Sequence, residues 1–263
     1  MTLQFFKFQA TGNDFIIVDD RQKQFDSQNS ALIQKLCNRR FGIGGDGLIL
    51  FRNESEFDFR MIYFNADGYE GSMCGNGGRC AAAFAHKLNP GKYNFRFQAF
   101  DGLHEASIEE IGEHQVWVRL SMQPVQTPET IDNDLFLNTG SPHFVRFVDD
   151  AASIDVNAEG RKVRNSERFL RDGVNVNFAE IHTDSITVRT YERGVEEETL
   201  SCGTGVTASA IASHFSGMIN ENPIRVYTRG GELKVHFFAS DDNYSNVTLS
   251  GPAAEVFTGT IEI

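Results

Sequence analysis

With 263 residues, 40% of them hydrophobic and 23% charged, the chain has ordinary globular composition and enough apolar material for one large core or two of domain size. A formal net charge of −12 argues against a nucleic-acid partner, whose phosphates it would repel. No apolar run is long enough to span a bilayer and the N-terminus lacks the basic-then-apolar pattern of a secretory signal, so a cytoplasmic protein with reduced cysteines is expected.

Leu3 to Phe8 alternates, Ala10 to Asp14 is a turn cluster, and Phe15 to Val18 is an apolar run: strand, turn, strand. Asn29 to Arg39 has helical spacing, with Ser30 as the candidate N-cap. Gly42 to Gly47 matches GxGxxG, but a helix precedes it and the strand Leu48 to Phe51 follows. That is the reverse of a dinucleotide turn, so it reads as a glycine turn. Phe57 to Phe64 alternates as a strand and leads into the turn Asn65 to Gly68. Arg79 to Leu88 is a helix, small and apolar nearly all round, stopped by Asn89-Pro90-Gly91; such a helix is expected to be buried. Tyr93 to Phe100 and His114 to Leu120 read as strands. Ser121 to Thr130, with Pro124 and Pro128 and little periodicity, reads as a connection between two halves.

The second half follows the same plan. A strand near Leu135, a turn at Thr139 to Pro142 and a strand from Phe144 to Val148 precede a polar, partly helical section. Strands follow at Val174 to Phe178 and Ile186 to Tyr191, and then a second buried-looking helix from Val206 to Phe215, stopped by Gly217. Arg225 to Phe238 breaks at Gly230-Gly231 as a hairpin, and Gly251-Pro252 opens the last strand.

The parallel is one of sequence as well as pattern. Met73-Cys74-Gly75-Asn76-Gly77 and Ser201-Cys202-Gly203-Thr204-Gly205 each place a cysteine before Gly-polar-Gly and an Ala-rich helix. Thr11-Gly12 recurs as Thr139-Gly140, Arg40-Phe41 as Arg168-Phe169 and Tyr63 as Tyr191, all at an offset of 128 shared with the two cysteines. One offset across so many landmarks marks a duplicated unit with a thiol in each half. Cys37 and Cys80 read as small buried hydrophobes. None of the four cysteines has metal-type spacing, and no CxxC pair exists, so neither a metal site nor a disulfide frame is expected.

A cysteine directly before a helix sits among unpaired N–H groups at the positive end of the helix dipole, which favours the thiolate. The same N–H groups can hold an anion, and the glycines let it come close. Two such sites on one ligand suit inversion of a carbon beside a carboxylate. One thiolate removes the α-proton, the opposite thiol returns one, and the N–H groups hold the enediolate charge. This requires no electron-sink cofactor, and nothing in the sequence points to pyridoxal phosphate.

The chain resembles the diaminopimelate epimerase family, within the wider group of cofactor-independent amino-acid racemases and the phenazine-biosynthesis isomerase. The matching pieces run over nearly the whole chain in family order: Gly12 to Phe15, Phe64 to Gly68, Met73 to Gly77, Gly140 to His143, Val174 to Val176, Tyr191 to Gly194 and Glu198 to Gly205. The resemblance implies an α+β (α/β) fold of two pseudo-symmetric halves, each a mainly antiparallel, barrel-like sheet round a central helix, with the site in the cleft between them. The halves are placed at 1–121, with the C-terminal strand 252–263 packing back on it, and 122–251. It also implies a homodimer, diaminopimelate as small-molecule substrate, and no cofactor. Cys74 and Cys202 look like the acid/base pair, with His143 and Glu192 helping to set protonation. Gly75, Asn76, Gly203 and Thr204 look like the donors to the reacting carboxylate. Asn13, Asn65, Asn175, Glu192 and Arg193 look like the readers of the amino groups and distal carboxylate, where a guanidinium fork has independent physical sense.

Taken singly, Asn13 or Asn65 would be a turn residue, Glu192-Arg193 a surface pair and His143 a structural histidine; the joint pattern lifts them. The chain also departs from the family. Gly47 stands where many relatives have Gln, Ser141 where most have Asn, and Phe257 where some carry a Tyr at the dimer contact. Gly194 to Cys202 is one residue longer than the commoner pattern. Racemases of histidine or proline type, and a silent amino-acid-binding relative, remain as alternatives; Arg193 with Asn65 and Asn175 favours a substrate with a second carboxylate.

Overall fold

In the computed structural model, which describes residues 2–263, the N-terminal alternation becomes a hairpin of β1 (Thr2–Ala10) and β2 (Asn13–Asp19), paired from Phe6↔Ile17 to Ala10↔Asn13. Thr11 at φ 48° and Gly12 at φ 85° supply the two positive-φ residues that a two-residue hairpin turn demands. Helix α1 (Ser30–Cys37) is capped by Asn29, whose side chain accepts from the Leu32 N–H at 3.0 Å. The cap therefore lies one residue before the expected Ser30. The helix also ends short of Arg39, because Asn38 turns to an extended ψ of 123°.

The chain divides into two compact units, one running to Leu120 and taking up Gly251–Ile263, the other Ser121–Ser250. In unit 1, β3 (Gly47–Arg52) runs parallel to β2, and β4 (Phe59–Asn65) antiparallel to β3. Helix α2 (Gly75–Leu88) follows, then β5 (Asn94–Ala99), β6 (Gly102–Ile111) and β7 (Val116–Ser121), joined as successive antiparallel pairs. β6 has no counterpart in the sequence reading. Its buried positions are His104, Ala106 and Ile108, a face too weakly apolar to show as alternation.

Unit 2 repeats the order. The short β8 (Val125–Gln126) and β9 (Glu129–Ile131) occupy the stretch expected to be a plain connection. After them come β10 (Asp134–Asn138), β11 (Pro142–Phe147), α3 (Val156–Arg164), β12 (Asn175–Ile181), β13 (Ser185–Glu192) and β14 (Glu197–Thr199). Helix α4 (Gly203–Phe215), β15 (Ile224–Thr228), β16 (Gly231–Ala239) and β17 (Asn243–Glu262) complete the chain. β17 is one 20-residue strand and does not begin at Gly251-Pro252 as expected. The register with β16 ends at Ser250 and that with β1 starts at Ala254, so Pro252 falls between these two ladders and neither of them needs its missing N–H.

Strand registers confirm the duplication. Phe15↔Gly47 pairs β2 with β3 in parallel, and His143↔Asn175, 128 residues on, pairs β11 with β12 in the same sense. β17 returns to pair with both β1 and β7, closing eight strands round α2. In unit 2 the first part of β17 pairs with β16 and β8, closing the second barrel round α4.

A barrel of eight strands has little interior room, which explains the small residues of the central helices. Cys80, Ala81, Ala82 and Phe84 of α2 and Val206, Ala208, Ala210 and Ile211 of α4 are all inaccessible to solvent. Around α2 the rings of Phe51, Phe59 and Phe97 stack with centroids 4.5 and 4.7 Å apart. The buried hydroxyls of Thr207 and Ser209 donate to the carbonyls of Gly203 and Gly205 four residues back, at 3.0 and 2.8 Å, so α4 satisfies its own polar groups. Strand alternation sends the other face outward: Val176 and Phe178 of β12 pack with Val156 and Tyr191 under α3, leaving Asn175 and Asn177 on the opposite face.

α3 approaches β13 through Gly160, where an added Cβ would lie 2.4 Å from the Tyr191 Cβ. Gly160→Ala ordinarily stabilises a helix interior, by about 1 kcal/mol. Here overpacking should reverse the sign and cost about 1–3 kcal/mol, read as a lower urea midpoint at unchanged m-value.

Candidate active site

Each barrel presents one cysteine at the end of its central helix. Cys74 is the N-cap of α2 at φ −109°, ψ 119°, and Cys202 the N-cap of α4 at φ −110°, ψ 110°. Extended backbone is what an N-cap requires, and the carbonyl of each cysteine accepts the first helical hydrogen bond, from Gly78 and from Val206, both at 2.8 Å. Gly75, Asn76, Gly203 and Thr204 occupy the first helical turns, where N–H groups have no helical carbonyl to pair with.

In unit 1, Asn13 is the hub. Its Nδ2 donates to Asp46 Oδ2 at 2.6 Å, which turns its Oδ1 toward Cys74 Sγ at 3.7 Å and Asn76 Nδ2 at 3.1 Å. Asn76 is oriented from its other end by Arg79, whose NH2 donates to Asn76 Oδ1 at 2.9 Å and to Thr11 Oγ1 at 3.2 Å. Arg79 is fully buried, and burial lowers its pKa to about 10, against the pull of the Cys80 and Cys74 thiols; it remains a cation at neutral pH. Asp46 is steadied by Arg39, which also grips Asp14 with both terminal nitrogens, at 2.6 and 2.8 Å. Burial would raise the Asp14 carboxyl, but hydrogen bonds and charge from Arg39 and Lys7 outweigh it and hold Asp14 well below the usual carboxylate range. Asn65 ends β4, exposed, with its backbone N–H on the Tyr69 carbonyl.

In unit 2 the cysteine's surroundings are different. Cys202 Sγ lies 3.4 Å from Thr204 Oγ1, and Thr204 Oγ1 lies 2.9 Å from His143 Nε2. His143 is fully buried; burial, and then the charge of Arg193, lower its pKa to about 3. It is neutral. Asn175 donates to Ser141 Oγ at 2.9 Å and to the Pro142 carbonyl at 3.2 Å, and accepts the Arg193 N–H at 2.8 Å. Arg193 itself is exposed and donates to the Asp172 carbonyl at 2.7 Å. Glu192 ends β13 opposite Glu197. Unit 1 thus gathers Cys74, Gly75, Asn76 and Asn13, with Asn65 standing apart on its strand end. Unit 2 gathers Cys202, Gly203, Thr204, His143, Asn175 and the Arg193 backbone. Among the described residues no group of three or more His, Cys, Asp or Glu could hold a metal.

The family profile described as diaminopimelate epimerase matches residues 5–127 and 135–255. A diaminopimelate epimerase of Flavobacterium psychrophilum is 50% identical over 262 residues, covering 98% of this chain and 100% of that protein. One from Aquifex aeolicus is 39% identical, covering 98% of each chain. The chain belongs to the diaminopimelate epimerase family. Solved structures show the fold as well. A phenazine biosynthesis protein of the PhzF family from Bacillus anthracis superposes with a TM-score of 0.74 at 13% identity, covering 100% of each chain. A hydroxyproline epimerase from Agrobacterium vitis gives 0.67 at 14% identity, covering 99% of this chain and 92% of its own.

Three of the departures from the diaminopimelate epimerase pattern have physical explanations. Gly47 leaves no room for a side chain: a Cβ there would lie 2.4 Å from Tyr63 Cε2 and 2.5 Å from the Phe64 carbonyl. Ser141 uses its hydroxyl to accept from Asn175. The longer Gly194 to Cys202 segment forms a tight turn, with Gly194 at φ 90° and Glu196 at φ 62°, then β14. Glu198 pins that strand through Arg189, at 2.7 and 2.8 Å, and Arg229, at 3.0 Å. Sequence reasoning missed Thr11, Asp46 and Arg79 in unit 1 and Asn177 and Thr190 in unit 2. The usable signal was Asn175-Val176-Asn177, two amides on one face of an otherwise apolar strand.

The depressed His143 pKa has a signed consequence. Unfolded, His143 takes a proton near its ordinary 6.5, whereas folded it resists until about 3, so the neutral buried ring gives stability above pH 6.5 that is lost as pH falls toward 3. Relative to His143→Gln, the wild-type unfolding free energy should fall by up to about 1.4 kcal/mol per pH unit in that window, measured by urea denaturation across a pH series.

Proposed function

We propose that the protein interconverts LL- and meso-2,6-diaminopimelate without a cofactor, using Cys74 and Cys202 as the two bases. The observation that carries the reading is the duplicated cysteine N-cap in a chain whose relatives, at up to 50% identity, are named for this reaction. One thiolate takes the α-proton: the C–H bond breaks, an S–H bond forms, and the electron pair passes into the carboxylate as an enediolate. The other thiol then protonates the opposite face, its S–H bond breaking as the new C–H bond forms. The N–H groups at Gly75, Asn76, Gly203 and Thr204 bear the developing charge. Asn13, Asn65 and Asn175 read the amino groups and the distal end, Arg193 receives the distal carboxylate with its exposed guanidinium, and Glu192 balances an ammonium. The product serves lysine and cell-wall precursor synthesis.

The reading extends to location and assembly. No described helix is long and apolar enough to cross a membrane, and the two thiols need reducing conditions, which fits the cytoplasm. A homodimer fits the exposed Val256 and Phe257 near the end of β17, beside a cavity of about 480 Å³ reached by Phe8, His86 and Lys87. Light scattering should then give twice the 29.4 kDa chain mass; the single-chain mass at micromolar concentration would refute the dimer.

Reduced protein incubated with LL-diaminopimelate in D2O should place deuterium at the α-carbon and yield the meso isomer with no pyridoxal phosphate added. Cys74→Ser and Cys202→Ser should each lose about 10²–10⁴-fold in epimerisation. A folded, reduced enzyme that exchanges nothing, or a serine variant at near-wild-type rate, would overturn the reading.

A further inference from the structure

The two barrels share backbone register but not what lies beneath their cysteines. Where unit 2 has His143 and Asn177, the positions 128 residues earlier in unit 1 are Phe15 and Ile49, held in the same parallel pairing of strands. Side-chain packing confirms the equivalence. A Cβ on Gly77 would meet Ile49 Cδ1 at 3.4 Å, and one on Gly205 would meet Asn177 Oδ1 at 2.4 Å, with His143 Cε1 and Thr190 Oγ1 each at 3.3 Å. Conversely, Arg79 of α2 corresponds to Thr207 of α4. Unit 1 thus sets a buried cation below an apolar floor, and unit 2 a polar chain with no such cation in its helix.

The direction of that chain can be worked out. Thr190 Oγ1 donates to Asn177 Oδ1 at 2.9 Å, and Asn177 Nδ2 donates to the Phe144 carbonyl at 2.9 Å. Both ends of the amide are therefore assigned. Asn177 Nδ2 also lies 3.1 Å from His143 Nδ1, so Nδ1 must accept, and the single proton of the neutral ring sits on Nε2. That N–H donates to Thr204 Oγ1 at 2.9 Å. With its oxygen accepting there, the Thr204 hydroxyl is left to direct its proton onto Cys202 Sγ at 3.4 Å. Asn175 Nδ2, 3.5 Å from Nε2, does not compete as a donor, because both its hydrogens are committed to Ser141 and Pro142. His143, Asn177, Thr190 and Asn175 are each at most 4% exposed, so water does not scramble the order.

We propose that Asn177 is a positioning residue: it fixes His143 as the Nε2–H tautomer, which turns the Thr204 hydroxyl onto Cys202 and makes that sulfur a hydrogen-bond acceptor. The inference rests on the two-thiol reading only for its use in catalysis. The groups facing His143 are Asn175 and Asn177 from β12 and Thr204 and Gly205 from α4, with Thr190 of β13 behind Asn177 and the charge of Arg193, the residue after β13, acting on the ring. Cys74 meets different groups: its thiol donates to the Asn13 oxygen at 3.7 Å, and the charge of the buried Arg79 couples to it.

The tautomer is read without substrate, from the two ring-nitrogen shifts of His143 in long-range ¹H–¹⁵N spectra, assigned with His143→Gln. The wild type should show a protonated Nε2 and an unprotonated Nδ1 at pH 7. Asn177→Asp reverses the polarity at Nδ1 and should transfer the proton there. Thr204 then donates to Nε2 instead of Cys202. Iodoacetamide labelling, with the two peptides separated by mass spectrometry, should show Cys202 about tenfold slower at pH 7, one pKa unit, and Cys74 changed by less than about twofold. A wild-type Nδ1–H tautomer would overturn the proposal, and that spectrum decides even if the aspartate variant does not fold. So would an unmoved Cys202 rate in a folded variant whose tautomer had switched, or equal slowing of both thiols. Inactivity toward diaminopimelate would refute the substrate assignment while leaving the relay intact.

Discussion

Each sulfur is held by a helix that has nowhere to go. A cysteine at an N-cap is aimed by the helix it starts, and each of these helices fills the inside of a closed barrel. A shift of the cap would have to push small buried side chains such as Ala81, Ala82, Ala208 and Ala210 into walls packed at crystal density. The glycine of the second motif follows from the same crowding: at Gly205 a Cβ would lie 2.4 Å from the Asn177 amide oxygen. Glycine is demanded there by its neighbour, not by φ, since it has no positive φ. The same turn also leaves N–H groups exposed toward any anion brought to the sulfur.

Duplication gives two copies of that cap, and divergence has changed how each copy is supported. A buried cation stabilises a nearby thiolate by charge, over a distance of several ångströms and with little regard to orientation. A hydroxyl stabilises it by one aimed hydrogen bond, which depends on every group behind it. The buried cation of unit 1 is Arg79, whose charge couples to Cys80 and Cys74 and whose Nε and NH1 lack hydrogen-bond partners. In unit 2 the groups from Thr190 to Thr204 form an unbroken donor-to-acceptor sequence. In the proposed two-thiol reaction both sulfurs ionise in turn, and two different means of support would meet that need without two identical sites.

Much of this was legible in the sequence, and what was not has a common cause. The repeat offset, the cysteine caps and the two buried helices were readable because they are local: consecutive residues, small side chains, clear stops. β6 was missed because its inward face is His104, Ala106 and Ile108, and the continuity of β17 was missed because Pro252 ordinarily ends a strand. In the site, the cysteine motifs were legible by themselves, and Asn13, His143 and Asn175 through the family pattern that joins them. Asp46, Arg79, Asn177 and Thr190 were not, since they look like ordinary polar residues until the strands and helices are packed. Arg79 in particular sits in a helix that reads as apolar, and only its zero exposure shows that its charge is buried.

The buried polar groups also set a limit on how the site can vary. A relay that is fully satisfied holds one arrangement, but losing any member leaves a buried donor or acceptor without a partner, at a cost of about 1–3 kcal/mol. Asn177 cannot become aliphatic alone, because Thr190 Oγ1, His143 Nδ1 and the Phe144 carbonyl would all lose their partner. Gly205 cannot gain a side chain while Asn177 remains. The polar floor of unit 2 and the glycine of its cysteine motif are therefore one unit of change. Conversion of one floor to the other requires several substitutions together, and that coupling can preserve the difference between two copies that began alike.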